Sequence, residues 1–246
     1  MRWIILIIIL IPKAYATLVG GKPDDIVDIR KYLPDVVHDI RYFSKNNFIG
    51  EEIRGYISPK CLLQDHVAKD LASVQEDLKG LNLELIIYDC YRPQAAVNHF
   101  VQWAKNINDI KMKHIFYPSV PKTELFSRGY IASKSGHSKG NTIDLGIMVK
   151  GSDFHAIKNL PLGPCKTPLS ENAIRAGLIE MGTHYDCFDE LSHTDNNSIS
   201  DEAKYNRGTL VKIMKKNNFK NYSREWWHFS HRQNNYPTTY HEFFVE

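Results

Sequence analysis

Two short segments hold the residues best suited to chemistry. Ser135-Gly136-His137-Ser138-Lys139-Gly140-Asn141-Thr142-Ile143-Asp144 sets an imidazole in a glycine-flanked turn and a carboxylate seven residues later. Glu225-Trp226-Trp227-His228 adds a second imidazole with a second carboxylate three residues before it. A catalytic zinc takes three protein ligands from such nitrogen and oxygen donors and leaves its fourth position to water. His137, Asp144 and His228 would make that set. Glu225 would then be the base that takes a proton from water whose pKa the metal lowers toward about 7. One geometric objection stands. Residues three apart on a regular strand face opposite sides, so Glu225 must precede the strand or the strand must be bulged there. A third element is Arg92, between Tyr91 and Pro93. Its guanidinium can donate two parallel hydrogen bonds to an oxyanion forming at a carbonyl. Taken alone, the same arginine would be read as a bridge between surface carboxylates.

These groups need elements to hold them. Leu63, Val67, Leu71, Val74 and Leu78 share one helical face, which predicts an amphipathic helix near 62–79 stopped by Gly80. Leu83 to Tyr88 reads as a strand running into Asp89. Pro93 breaks it and favours a helix carrying Val97, Phe100, Val101 and Ala104. Residues 105–127, with Pro118 and Pro121, read as irregular. Asn141 to Met148 alternates as a half-buried strand, with Ile143, Leu145 and Ile147 toward the core and Asp144 on the opposite face. Gly151 to Asn172 is loop-rich. A helix near 201–217 is expected to turn Tyr205, Leu210, Ile213 and Met214 inward, with Ser200 or Asp201 as its cap. Arg224 to Ser230 reads as a final strand rich in aromatics. Helices and strands mix without a regular βαβ rhythm, which predicts a single α+β domain with a mainly antiparallel sheet.

The 246 residues, 43% hydrophobic and 24% charged, suit one globular domain. Trp3 to Ile11 is an unbroken apolar run after Arg2, followed by the small-x-small site Ala14-Tyr15-Ala16. This is the pattern of a cleaved export signal over residues 1–16, and the run is far short of the roughly 20 residues that span a bilayer. The expectation is an exported protein, periplasmic or secreted, with residues 17–246 as the mature domain and no stable membrane insertion after cleavage. The formal charge is +3, and without Arg2 and Lys13 the balance is 29 basic against 28 acidic residues. That leaves no electrostatic footprint for nucleic acid. Cys61, Cys90, Cys165 and Cys187 form no CxxC, and four cysteines allow three pairings among which sequence does not choose.

At these residues the sequence resembles the zinc-dependent D-Ala-D-Ala dipeptidases associated with vancomycin resistance. The matching pieces are Asp39-Ile40-Arg41-Tyr42 with Asn47-Phe48 and Gly50, Asp89-Cys90-Tyr91-Arg92-Pro93, and Gly129-Tyr130-Ile131-Ala132. Ser135 to Asp144, Met181-Gly182-Thr183-His184-Tyr185-Asp186, Ser192-His193 and Glu225 to His228 complete them in the family's order. The resemblance implies one zinc per chain on His137, Asp144 and His228, Glu225 as base and then acid, and Arg92 as transition-state stabiliser. It also implies Asp186 as receiver of the substrate's ammonium, with Ser135 and Tyr42 lining the pocket. The expected substrate is a small D-amino-acid dipeptide. The stretch from Asp144 to Met181 looks longer than in the smallest relatives and carries Cys165, while Cys187 follows Asp186. A disulfide between those two is expected to brace the rim of the site, with Cys61 and Cys90 as the second pair in an oxidising compartment. A D,D-carboxypeptidase or peptidoglycan endopeptidase of the same group is the nearest rival. A wall-binding module without catalysis is the more distant one, and it would need neither Glu225 nor a full ligand set.

Overall fold

The computed structural model describes residues 21–158 and 163–246; the expected export segment, residues 1–16, lies outside them. In chain order the strands are β1 (Ile26–Asp28), β2 (Val37–His38), β3 (Leu62–Gln64), β4 (Leu83–Asp89), β5 (Thr142–Val149), β6 (Phe219–Asn221) and β7 (His228–His231). The helices are α1 (Asp65–Lys79), α2 (Gln94–Lys105), α3 (Lys113–Phe116), α4 (Phe154–Lys158), α5 (Glu171–Arg175) and α6 (Asp201–Lys216). A five-stranded sheet runs β2-β4-β5-β7-β6, and β1 pairs with β3 in a separate ribbon. Only the β2–β4 pairing in the large sheet is parallel. The fold is therefore α+β with a mainly antiparallel sheet flanked by helices.

α1 buries Val67, Ala68, Leu71, Val74 and Leu78, the stripe that helical periodicity requires. It begins at Asp65 rather than near 62 because Leu62–Gln64 is taken up by antiparallel pairing with β1. α6 starts where Ser200 Oγ accepts from the Ala203 N–H at 3.1 Å. Its buried face is Ala203, Arg207, Leu210, Ile213 and Met214, and the expectation that Tyr205 faces inward is wrong. Tyr205 is 75% exposed, since two residues past Ala203 is about 200° around the helix.

β5 corrects a second expectation. It is buried on both faces rather than half-buried, because it is the central strand of the sheet. Asp144 does face away from Ile143 and Leu145, but it is only 2% exposed, under a cover that includes Tyr42 and Tyr185. The third correction is at the last strand, which begins only at His228; Arg224 to Trp227 forms a turn. Residues 105–127 contain α3 and a 3-10 turn, Lys122–Glu124. They are held by the buried Lys122, whose ammonium donates to the Asn106 and Asp109 carbonyls at 2.8 and 2.6 Å.

Candidate active site

Strand register lays down the first line of the site. Asp89 on β4 stands opposite Asp144 on β5, and Asp144 stands opposite His228 on β7. Directly opposed residues share a sheet face with Cβ atoms about 4.5–5.5 Å apart, so the three side chains project side by side. A register shift between Ile87 and Asp89 makes this alignment, re-aiming the end of β4. His137 joins them from the 3-10 turn Gly136–Lys139 just before β5. That turn ends at Gly140 with φ 73°, where a Cβ would also meet Ile26 Cδ1 at 3.1 Å.

The convergence is tight. His137 Nε2 lies 3.2 Å from Asp144 Oδ1 and 3.2 Å from His228 Nδ1, and His228 Nδ1 lies 3.0 Å from Asp144 Oδ1. Ligands about 2.05 Å from a tetrahedral cation stand about 3.3 Å from one another, close to this triangle. Asp144 Oδ1 is buried and has no hydrogen-bond partner, which is the condition of a carboxylate oxygen that a cation would satisfy. The Cys90 carbonyl accepts from His137 Nδ1 at 2.7 Å, so the tautomer leaves the Nε2 lone pair pointing into the triangle. Burial also holds His137 below its usual pKa, hence neutral and fit to ligate. Among the described residues this is the one group of three that could hold a metal ion.

Glu225 precedes the strand, which resolves the geometric objection. Its N–H bonds the Tyr222 carbonyl at 3.0 Å and its own carbonyl accepts from His228 N at 3.3 Å, a turn that folds the side chains together. Asn221 Nδ2 clamps that turn by donating to the carbonyls of Glu225 and His228 at 3.0 and 3.1 Å. Glu225 Oε2 then lies 3.4 Å from His228 Nδ1. Burial pushes its carboxyl up to about 7, against the pull of His228.

Arg92 is held by Asp89, whose Oδ2 accepts from Nε at 2.9 Å and pairs with a terminal nitrogen at 2.8 Å; that nitrogen also lies 3.4 Å from Asp144 Oδ2. Asp89 Oδ1 accepts from Tyr56 Oη at 2.5 Å, so this fully buried carboxylate is satisfied on both oxygens. Asp186 has a different surrounding. It is 6% exposed, accepts from Tyr42 Oη at 2.8 Å and has no cationic side chain paired with it among the described residues. Burial, reinforced by Asp144, pushes its carboxyl well above the usual carboxylate range. Its backbone holds φ 60°, a left-handed conformation that Asp tolerates better than most residues.

The structure pairs Cys165 with Cys187, Cα atoms 5.4 Å apart, immediately after Asp186. It pairs Cys61 with Cys90, 5.1 Å apart, at the carbonyl that orients His137. Ser135 Oγ accepts from His137 N at 3.3 Å. Tyr42, Arg92, Ser135, Asp144, Asp186 and Glu225 all line one cavity of about 260 Å³. The structure thus brings the expected ligand, catalytic and substrate-pocket side chains to one cavity, with the four cysteines outside its lining. Sequence reasoning gave no role to two residues in the same quoted segments. One is Asp89, which holds Arg92, and the other is Tyr185, whose hydroxyl donates to Asp144 Oδ2 at 3.0 Å. A fixed acid three residues before the arginine was the available signal for the first.

The chain matches the D-ala-D-ala dipeptidase family over residues 22–154 and 172–246. The interruption coincides with most of the loop-rich stretch and contains Cys165. It is 34% identical over 219 residues to the D-alanyl-D-alanine dipeptidase of Enterococcus faecium, covering 87% of this chain and 97% of that protein. To the D-alanyl-D-alanine dipeptidase of Streptomyces coelicolor it is 31% identical over 205 residues, 83% of this chain and 90% of the relative. The D-alanyl-D-alanine dipeptidase of Escherichia coli is 26% identical over 205 residues, 83% of each chain.

Proposed function

We propose that this chain, which belongs to the D-ala-D-ala dipeptidase family, hydrolyses the free D-alanyl-D-alanine dipeptide to two D-alanines, using a zinc ion held by His137, Asp144 and His228. The observation that carries the dipeptide reading is Asp186. A buried carboxylate lining the cavity without a cationic partner is a receptor for an ammonium group, and a free dipeptide supplies one. An acylated or longer peptide brings a neutral amide instead, which forfeits the charge-assisted contact and leaves the carboxyl, already pushed up by burial, to neutralise by taking a proton.

In this reading His137, Asp144 and His228 would hold the cation, which when bound would lower the pKa of a water molecule and polarise the scissile carbonyl. Glu225 takes the proton of the attacking water, since a carboxyl tuned near neutrality accepts and returns protons with little bias. Arg92, oriented by Asp89, donates to the oxyanion as it forms. Glu225 returns the proton to the nitrogen of the leaving D-alanine. Asp186 and the Tyr42 hydroxyl hold the ammonium throughout, and Ser135 supports the turn that carries His137. Export to a periplasmic or extracellular space is part of the proposal. The apolar run Trp3 to Ile11 with Ala14-Tyr15-Ala16 supports it, and so do two disulfides, which persist in oxidising compartments.

The test compares D-Ala-D-Ala with N-acetyl-D-Ala-D-Ala on the purified enzyme. The acetylated form should show a kcat/KM at least about a hundredfold lower. Asp186→Asn should compress that preference by lowering the free-dipeptide value alone. Equal turnover of both substrates by the unsubstituted enzyme would reject the dipeptidase reading in favour of a carboxypeptidase or endopeptidase.

A further inference from the structure

A free dipeptide carries two opposite charges, and Asp186 accounts for one of them. Resting on the dipeptidase reading, we infer that Lys134 receives the substrate's terminal carboxylate and so sets the other limit on substrate length. Among the described residues lining the cavity, the cationic side chains are Arg92, Lys134 and, when protonated, His137 and His228. Arg92 is tied to Asp89 and Asp144, and both imidazoles face Asp144 Oδ1. Lys134 has no carboxylate partner among the described residues.

One aromatic ring lies beside it. The Lys134 ammonium stands 5.2 Å from the Tyr240 ring centroid, a contact that steadies a cation without neutralising it. Lys139 stands 5.0 Å from the same ring but spends its ammonium on the Pro237 carbonyl at 2.6 Å, which leaves Lys134 as the free charge. The residues on either side are pinned. Gln94 Nε2 donates to the Ser133 carbonyl at 3.1 Å, and Ser135 Oγ caps the turn that carries His137. Lys134 is exposed where Asp186 is buried, so the cavity lining includes an enclosed anion and a solvated cation. This polarity matches a zwitterion that enters ammonium first. On this assignment the carboxylate end should be the more permissive one, since a hydrated ion pair discriminates less than a dry one.

The test measures kcat/KM for D-Ala-D-Ala and for D-alanyl-D-alaninamide, whose terminal charge is removed, in the full enzyme and in Lys134→Gln and Lys134→Arg. Lys134→Gln should lower the ratio of acid to amide about tenfold, mainly through KM for the acid. Lys134→Arg should restore most of that ratio. Raising ionic strength should raise KM for the acid in the unsubstituted enzyme and do so much less in Lys134→Gln. An acid-to-amide ratio unchanged by Lys134→Gln overturns the assignment, whether or not overall activity falls. Failure of the unsubstituted enzyme to hydrolyse D-Ala-D-Ala would overturn the proposed function itself, a separate result visible before any substitution is made.

Discussion

Glu225 and His228 lie three residues apart, yet on the proposed reading removing them should have different consequences, one as the proton carrier and the other as a member of the candidate metal group. The same contrast distinguishes Glu225 from His137. Glu225→Gln keeps the shape and the fold but cannot accept a proton, so it should retain one zinc per chain and lose about 10²–10⁴-fold in kcat. His137→Ala should lose stoichiometric zinc and activity together. Elemental analysis of the two variants beside their turnover makes the check, and a Glu225→Gln enzyme with more than a tenth of normal turnover is not using Glu225 as its base. The residues at this scale were legible because ligand types cluster at fixed spacings around His137 and before His228. Asp89 and Tyr185 were not, since their roles come from hydrogen bonds to Arg92 and Asp144 that only the folded register creates.

The elements decide how well those residues are aimed. Strand β5 could be read from its alternation, but not its burial on both faces, because alternation describes one strand and the cover over Asp144 comes from residues 42 and 185. The start of α1 was misplaced for a related reason: Leu62 to Gln64 suits either a helix or a strand, and pairing with β1 chose. The turn at Arg224 to Trp227 was hidden inside an aromatic run that has high strand propensity. Cross-links add a second level of aim. Cys165–Cys187 closes a 22-residue separation next to Asp186, the residue in a left-handed backbone conformation. Replacing both cysteines with serine should cost about 3 kcal/mol and lower the melting temperature by roughly 6–12 °C. It should also raise KM for the free dipeptide more than for the acetylated one, since the loosened residue is the proposed ammonium partner. Equal changes in both values would mean that the bridge stabilises the fold without positioning Asp186.

Over the whole molecule, no described helix is long and apolar enough to cross a membrane. The charge balance is near neutral, consistent with a small zwitterionic substrate rather than a polyanion. The fold class followed from the mixture of element types, while strand order did not, because β7 takes its place beside the central β5 only after the chain has passed through α6, which packs against α1. The three convergent donor atoms also have a thermodynamic consequence. His137 and His228 are 91 residues apart in sequence, so the triangle exists only in the folded chain and an ion bound there is linked to folding. At a free zinc concentration a hundred times Kd this linkage contributes about 2.7 kcal/mol, and a chelator should lower the melting temperature by roughly 5–10 °C, reversibly. A melting temperature indifferent to chelation would show that the ion is not coupled to the fold. With zinc in that triangle, folded protein would depend on supply: where zinc is scarce, mass action would shift the same chain toward its unfolded and protease-sensitive form, and the abundance of enzyme would report the metal status of its surroundings.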